Sequence, residues 1–432
     1  MGRPVSAPRS DMKGSGHPDP ARLLASTGAR VTADAPNEGG SRLLNLRVRG
    51  RPVPVTVVLL AAYLAARLLS TGLLALAWWL FPDGPWAHAY FATEPGFLGF
   101  LNSWDTRWYE QIVLHGYPSR LPIDAVGDVK YNTWAFFPVF PALVKALMTI
   151  TGLGFNVVSI AVAALFGGGA TVALHRVLLG HFKRTQALWG AVLFAFGPLS
   201  FLLQLGYGES TFLFFLFVAI WFMQRRRYLA MIPFALVASF THPGALALGA
   251  AIGIQGLHRM WRRHPIAHRE WITGLAAIVA IVAAALFWPI LVTAVTGDPS
   301  GYFDTELAWW RAYLGRVIFV PFTPFFLFYG KLWGLWGILL VVVVLAAVVF
   351  WLSRRSTRKY GADLWTFTAA YIAYLVAVFL PTQSLIRQLL PLSPLLGHPG
   401  LSSSHRRRTI TLGASIVLQA VAIFALWVVY PP

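Results

Sequence analysis

The densest run of side chains able to do chemistry is Asn102-Ser103-Trp104-Asp105-Thr106-Arg107-Trp108-Tyr109-Glu110, continuing to His115-Gly116-Tyr117-Pro118. Asp105 stands between two indoles, Trp104 and Trp108, which are four residues apart. Two readings of it stand side by side. In one, the tryptophans belong to an interfacial aromatic belt, and Ser103 or Asp105 caps the helix that follows. In the other, Asp105 is a carboxylate held at the water–lipid boundary by an aromatic collar. Partial desolvation raises its basicity, and it takes a proton from a hydroxyl nucleophile.

Other polar groups stand out against apolar surroundings. Glu209 follows an apolar stretch in Gly206-Tyr207-Gly208-Glu209-Ser210. A carboxylate at the centre of a bilayer costs about 2.5–3.5 kcal/mol, so Glu209 needs water or a partner, as a loop acid or as a ligand for substrate hydroxyls. Arg387, near Gln383, Ser384 and Gln388, is either a snorkelling interfacial arginine or a fork for a phosphate. His242, in Thr241-His242-Pro243-Gly244, is a structural histidine or a donor to a phosphate oxygen, although imidazole is largely neutral at pH 7. Lys331 and Arg316 are further phosphate contacts on weaker grounds, and Tyr131 and Asn132 are placed to line an acceptor groove. Asp124 and Asp128 have no histidine at ligand spacing. No cofactor or obligatory metal is expected, and oxygen ligands alone leave room only for a weakly held divalent ion.

The elements that must position these groups are membrane helices. Of 432 residues, 57% are hydrophobic and 12% charged, about half the usual share of charge. Val53–Phe81, Trp271–Thr296 and Leu332–Leu352 are each long enough to cross ~30 Å of hydrocarbon. A soluble enzyme, a secreted module and a disordered regulator are excluded. The net charge of +19 falls in short clusters between apolar runs, which is topology information and not a nucleic-acid stripe. With no cysteine, disulfides, thiolate sites and cysteine nucleophiles are ruled out. Residues 1–51 read as a disordered basic tail, and 52–432 as one transmembrane domain. No signal peptide is apparent, so the first span is expected to direct insertion.

Placing the basic clusters at Arg42–Arg51, His181–Arg184, Arg225–Arg227, Arg259–Arg269, Arg354–Lys359 and Arg406–Arg408 inside fixes the layout. The N-terminus is cytoplasmic, and residues 82–154 form a long first exterior loop. Spans follow at Asn156–Leu179, Ala187–Leu205, Thr211–Gln224, Trp271–Thr296, Lys331–Leu352, Ala362–Pro381, Leu389–Leu401 and Ile410–Tyr430. Tyr228–Leu257 has basic clusters at both ends and Pro243-Gly244 at its middle, so it is expected as two half-length helices meeting there. Trp134–Gly152 suits an amphipathic helix on the outer leaflet. The sum is an all-α, polytopic bundle of about eleven helical segments. Ten of the twelve acids outside the tail then fall on the exterior, with Glu270 and Asp363 inside. The chemistry faces outward.

Trp104-Asp105-Thr106-Arg107-Trp108-Tyr109, Gly116-Tyr117 and Phe136-Phe137-Pro138-Val139-Phe140-Pro141 together resemble the phosphatidylinositol glycan class V mannosyltransferases, and more closely their actinobacterial relatives. Gly206-Tyr207-Gly208-Glu209-Ser210 is similar to that family's Tyr-x-Glu-Ser segment. Thr241-His242-Pro243-Gly244 stands where the family usually has Thr-Arg-Pro-x-Gly. Thr296-Gly297-Asp298-Pro299 with Trp309 or Trp310, and Arg387 before Leu390-Pro391-Leu392, are looser matches. The resemblance spans roughly residues 55–400.

It implies a GT-C membrane glycosyltransferase using a polyprenyl-phosphate sugar, with Asp105 as catalytic base. Trp104, Arg107, Tyr207 and Glu209 would then join the substrate-binding set. The reading is an inverting mannosyl transfer to an acceptor hydroxyl of a glycolipid, glycan or protein, at the extracytoplasmic face of the cell membrane. The implied partners are the lipid-linked donor, that acceptor and membrane lipid, with no nucleic acid. A transporter or flippase for a lipid-linked sugar is the rival reading. It predicts inverted repeats and leaves the one-sided acids unexplained. An inactive scaffold with His242 in place of the arginine is a third.

Overall fold

A computed structural model of the protein describes Met1, Gly2, Leu43 and residues 46–48, 51–82, 84 and 96–429. The expected disordered tail over 1–51 lies largely outside the described residues. A two-residue antiparallel ladder, β1 (Arg47–Val48) with β2 (Arg51–Pro52), and an isolated bridge between Ile123 and Val129 are the β-structure among the described residues, and the other elements are helices. The chain is an all-α bundle with six described helices long and apolar enough to cross a membrane.

The first of these, α1 (Val55–Leu80), starts directly after Pro54, whose fixed φ suits a helix start. Between residues 96 and 154 lie two short helices, α2 (Phe97–Leu101) and α3 (Thr106–His115), and then the amphipathic α4 (Val139–Thr151). The spanning helix α5 (Phe155–Leu178) carries Gly167-Gly168-Gly169. These glycines let neighbours approach as small residues do in membrane packing. A Cβ at Gly167 would collide with the Tyr63 hydroxyl, which donates to the Ala164 carbonyl at 2.9 Å and the Leu203 carbonyl at 3.1 Å.

Three expected spans are broken, each for a visible reason. The outward run over 187–205 is α6 (Arg184–Ala195), a stop at Gly197-Pro198 and a 3₁₀ turn at Ser200–Gln204. The run beginning at Lys331 divides into α12 (Pro324–Trp333) and α13 (Leu335–Ser353) at Gly334, whose φ of 57° lies in the left-handed region. The expected span Leu389–Leu401 is divided between the C-terminal part of a 3₁₀ helix, Gln383–Gly397, and a short helix at Pro399–Ser402. Pro391 and Pro394 remove N–H donors there. The Gln388 carbonyl, which Pro391 leaves without a 3₁₀ partner, accepts the Tyr371 hydroxyl at 2.9 Å.

The stretch from Tyr228 folds as a hairpin, α8 (Tyr228–Ser239) and α9 (Leu246–Trp261), joined by Phe240–Ala245. Both ends of the hairpin meet at Glu270, which pairs with Arg226 (3.8 Å) and with Arg259. Glu270 begins the next spanning helix, α10 (His268–Thr296). Arg226 also reaches Asp363 at 3.2 Å, in the first turn of α14 (Gly361–Val378). These pairs gather the basic clusters at one end of the bundle. The hairpin's tip, with the N-termini of α3 and α7 (Glu209–Gln224), lies at the other. The sixteen residues of α7 rise about 24 Å, short of ~30 Å of hydrocarbon. The last elements are α11 (Gly301–Leu314), α15 (Pro399–Ser402) and α16 (His405–Ile423).

Candidate active site

Asp105 occupies the position before α3 yet makes no side-chain cap bond. Its backbone is already helical (φ −61°, ψ −24°), and Trp104 before it is forced to φ 60°. Positive φ at a bulky residue is strained. Here it is held by the Trp104 indole N–H, which donates to the Trp427 carbonyl at 3.2 Å. The consequence is directional, because the carboxylate turns away from the helix and pairs with Arg387 through Oδ2. The Asp105 backbone N–H bonds the Tyr207 hydroxyl at 3.3 Å. Among the described residues nothing bonds Oδ1.

Glu209 is the first residue of α7, so both carboxylates stand at helix N-termini, where backbone dipoles favour negative charge. The two loops that carry them touch. A Cβ at Gly206 would come within 2.6 Å of Asn102 Oδ1 and 2.7 Å of Thr106 Cγ2, so only glycine allows this approach. Asn102 is buried and locked, donating to the Leu98 and Asn156 carbonyls and accepting from Ser159 at 2.9 Å. Asn102, Ser159 and Gly206 are thus parts of the site's frame.

Arg387 closes the set. One guanidinium nitrogen meets Asp105; the other, Nη1, lies 3.3 Å from Glu209 Oε1. Its plane sits over the Tyr207 ring, 5.2 Å from the centroid. The three side chains are only 12–14% exposed. Arg387 rides on the 3₁₀ helix, in which residues three apart share a row. Ser384 and Arg387 line a polar cavity, whereas Leu390, Ser393 and Leu396 of the same row line an apolar groove of about 510 Å³ between α6 and α16. One row therefore passes from a cation to a hydrocarbon-like trough.

The polar cavity has a volume of about 370 Å³ and contains Asp105, Glu209, His242 and Arg387 in its lining. Trp104 and Tyr131 also line it, and Tyr207 supports Arg387 from behind. His242 comes from the hairpin tip, where its Nδ1 accepts the Gly244 N–H at 2.9 Å. Its ring lies on Phe212, 4.7 Å between centroids. With Nδ1 used as an acceptor the ring is neutral, its proton on Nε2.

Four sequence candidates are engaged elsewhere. Arg107 is buried and paired with Glu110 at 2.7 Å. Asn132 is a clamp, donating to Thr305 Oγ1 at 3.0 Å and accepting from the Trp134 N–H. Lys331 donates to the Tyr313 carbonyl at 2.8 Å, and Arg316 pairs with Asp128 at 3.0 Å.

Glu306, counted in the sequence only among the exterior acids, lines the same cavity from α11. Burial pushes its carboxyl up to about 7, against the lowering effect of a hydrogen bond from Tyr302. Its spacing from Tyr302 and Trp310, four residues each way, is the helical signal that could have singled it out. Among the described residues no group of three or more His, Asp or Glu is placed to hold a metal ion.

No protein-family model and no curated protein sequence matches the chain. Solved structures similar to it include the Archaeoglobus fulgidus oligosaccharyltransferase in complex with Zn and sulfate, at 14% identity and a TM-score of 0.46, covering 85% of this chain and 53% of that one. The archaeal oligosaccharyltransferase AglB from the same organism, in complex with an inhibitory peptide and a dolichol-phosphate, is 14% identical, with a TM-score of 0.35 and coverage of 84% and 50%. The chain spans about half the length of the solved structures it matches.

Proposed function

We propose that this protein is an inverting, GT-C-like membrane glycosyltransferase. It moves a sugar, mannose, from a polyprenyl-phosphate carrier to an acceptor hydroxyl on the extracytoplasmic face of the cell membrane. The observation that carries the reading is the pairing of Asp105 with Arg387 in a polar cavity, on a 3₁₀ row whose later residues line an apolar groove. A lipid phosphate has the same two-part character. Its anion fits a guanidinium fork, and its tail fits the groove that continues the Arg387 row.

Arg387 is the one guanidinium or ammonium among the cavity's described lining residues, and it serves both Asp105 and Glu209. A donor phosphate must therefore share or take its fork. A phosphate that takes the fork frees the Asp105 carboxylate oxygen to accept a hydrogen bond from the acceptor hydroxyl. The acceptor O–H then gives its proton to Asp105, and the acceptor oxygen forms a bond to the anomeric carbon. The bond from that carbon to the phosphate oxygen breaks, and its electron pair leaves on the phosphate beside Arg387. A single displacement inverts the anomeric centre.

The test is transfer of label from polyprenyl-phosphate-mannose in membranes bearing wild type or Asp105→Asn. The wild type transfers label and the variant does not. Full transfer by the variant removes Asp105 as the base. Carrier movement across vesicles with no glycosidic bond formed replaces the enzyme by a transporter.

A further inference from the structure

Three carboxylates line one cavity, and they are not equally supplied. Asp105 and Glu209 divide Arg387 between them, whereas Glu306 has no cation within 4.0 Å among the described residues. Its named partner is Tyr302, one turn earlier on α11. A carboxylate withdrawn from bulk water without a cation is costly unless donors reach it, so a ligand rich in hydrogen-bond donors explains its presence. A single carboxylate lacks the oxygen ligands a divalent ion requires, and among the described residues no group of three or more His, Asp or Glu supplies them.

The surroundings narrow the ligand further. Tyr302, Glu306, Trp310 and Tyr313 repeat at helical spacing, and all line the cavity. Opposite them, α11 is clamped to the first exterior loop. Thr305 takes the Asn132 amide at 3.0 Å, and Arg311 donates to the Val129 carbonyl at 3.1 Å. The wall is therefore fixed, polar at one point and aromatic around it. A pyranose matches this, with neighbouring hydroxyls for a carboxylate and a face of C–H bonds for an aromatic ring. A serine or threonine side chain offers one hydroxyl and no such face.

We propose that the α11 wall is a saccharide-binding subsite in which Glu306 accepts hydrogen bonds from adjacent hydroxyls of a glycan acceptor. This rests on the transferase reading and names its acceptor class. The raised carboxyl of Glu306 adds a sign. The ionised form is the acceptor of hydroxyl protons, so saccharide binding strengthens as pH rises through about 7.

The experiment is saturation-transfer NMR on the purified full chain in detergent, with α-linked mannobiose as probe and no donor present. The wild type gives transfer to the probe, Glu306→Gln gives at least tenfold less, and Glu306→Asp recovers part of it. The wild-type signal grows between pH 6 and pH 8, and that growth is lost in Glu306→Gln. Each variant's thermal midpoint is measured alongside, and the Glu306→Asp recovery separates binding from misfolding. The proposal is overturned by equal transfer with wild type and a folded Glu306→Gln, by no transfer with wild type, or by displacement of the probe by millimolar tetramethylammonium. Mannobiose binding that depends on Glu306, without sugar transfer in the membrane assay, would sink the transferase reading and leave the subsite standing. Transfer to a peptide or lipid hydroxyl without mannobiose binding would do the reverse.

Discussion

The two ends of the bundle both hold clustered charges, but they treat them differently. At the basic end, Asp363 has Arg226 at 3.2 Å and His181 at 3.9 Å, and Glu270 has Arg226 and Arg259. Gln255 extends the network, accepting from Arg226 and donating to Thr366 at 2.8 Å. At the cavity end, three carboxylates face one guanidinium. A network with as many cations as acids is a staple, here tying α9, α10 and α14 to the loop before α8. A network short of cations has demand left for a ligand, which is what the proposed site requires.

The sharpest way to break this contrast is at the acid itself. Asp105→Asn keeps the shape of the side chain and leaves Arg387 with Glu209. It should lower the sugar-transfer rate by about 10²–10⁴-fold, the range for loss of a general base, while the thermal midpoint moves little. A variant that lost its fold and its rate together would place Asp105 with the staples.

Arg387 should show both effects. Its removal in Arg387→Gln leaves two carboxylates buried without a cation, and breaking a buried pair costs about 3–5 kcal/mol. The double variant Arg387→Gln, Glu209→Gln should recover part of that loss, since one stranded charge is gone. Stability measured by denaturant in detergent checks the first point. Donor turnover in the recovered double variant checks the second, and it should stay low. Recovery of turnover as well would clear Arg387 of the phosphate role.

The staple end should give the complementary result. Arg226 is 32% exposed in its side chain, so solvent screens its pairs and the loss is less than for a fully buried ion. Arg226→Gln should destabilise by about 1–2 kcal/mol with transfer per folded molecule unchanged. Reduced transfer at full folding would show that the two ends are coupled.

The sequence reached the bundle and its long helices because apolar length is a one-dimensional quantity. It reached the α8–α9 hairpin because basic residues at both ends of one apolar run leave few topologies. It also singled out Asp105, Glu209, His242 and Arg387, four positions that the fold brings to one cavity. It did not show the strained turn at Trp104, the glycine contact at Gly206, or the 3₁₀ course of residues 383–397. These depend on what packs against the segment, as in the Tyr371 hydroxyl that takes the carbonyl orphaned by Pro391. Asn132 and Lys331 looked available in the sequence because a polar side chain's partner lies far along the chain, at Thr305 and Tyr313.

The smallest predicted effect concerns His242, the position at which the hairpin tip departs from the resembled family's arginine. The cavity's shortage of cations gives the departure a physical meaning, since a neutral imidazole adds no charge to the side that would receive a phosphate. His242→Arg introduces a second guanidinium into a cavity that three carboxylates line. The expected outcome is a fall of a few-fold in the donor KM at unchanged kcat. One charge-assisted hydrogen bond contributes about 1.5–3 kcal/mol, most of it offset by repacking against Phe212, which now carries the imidazole ring. The measurement is donor-saturation kinetics at two salt concentrations, because an added ionic contact weakens as screening rises. A lower kcat with the KM unmoved would mean that the new arginine competes with Arg387 for Asp105, placing the demand for cations at the base and not at the phosphate.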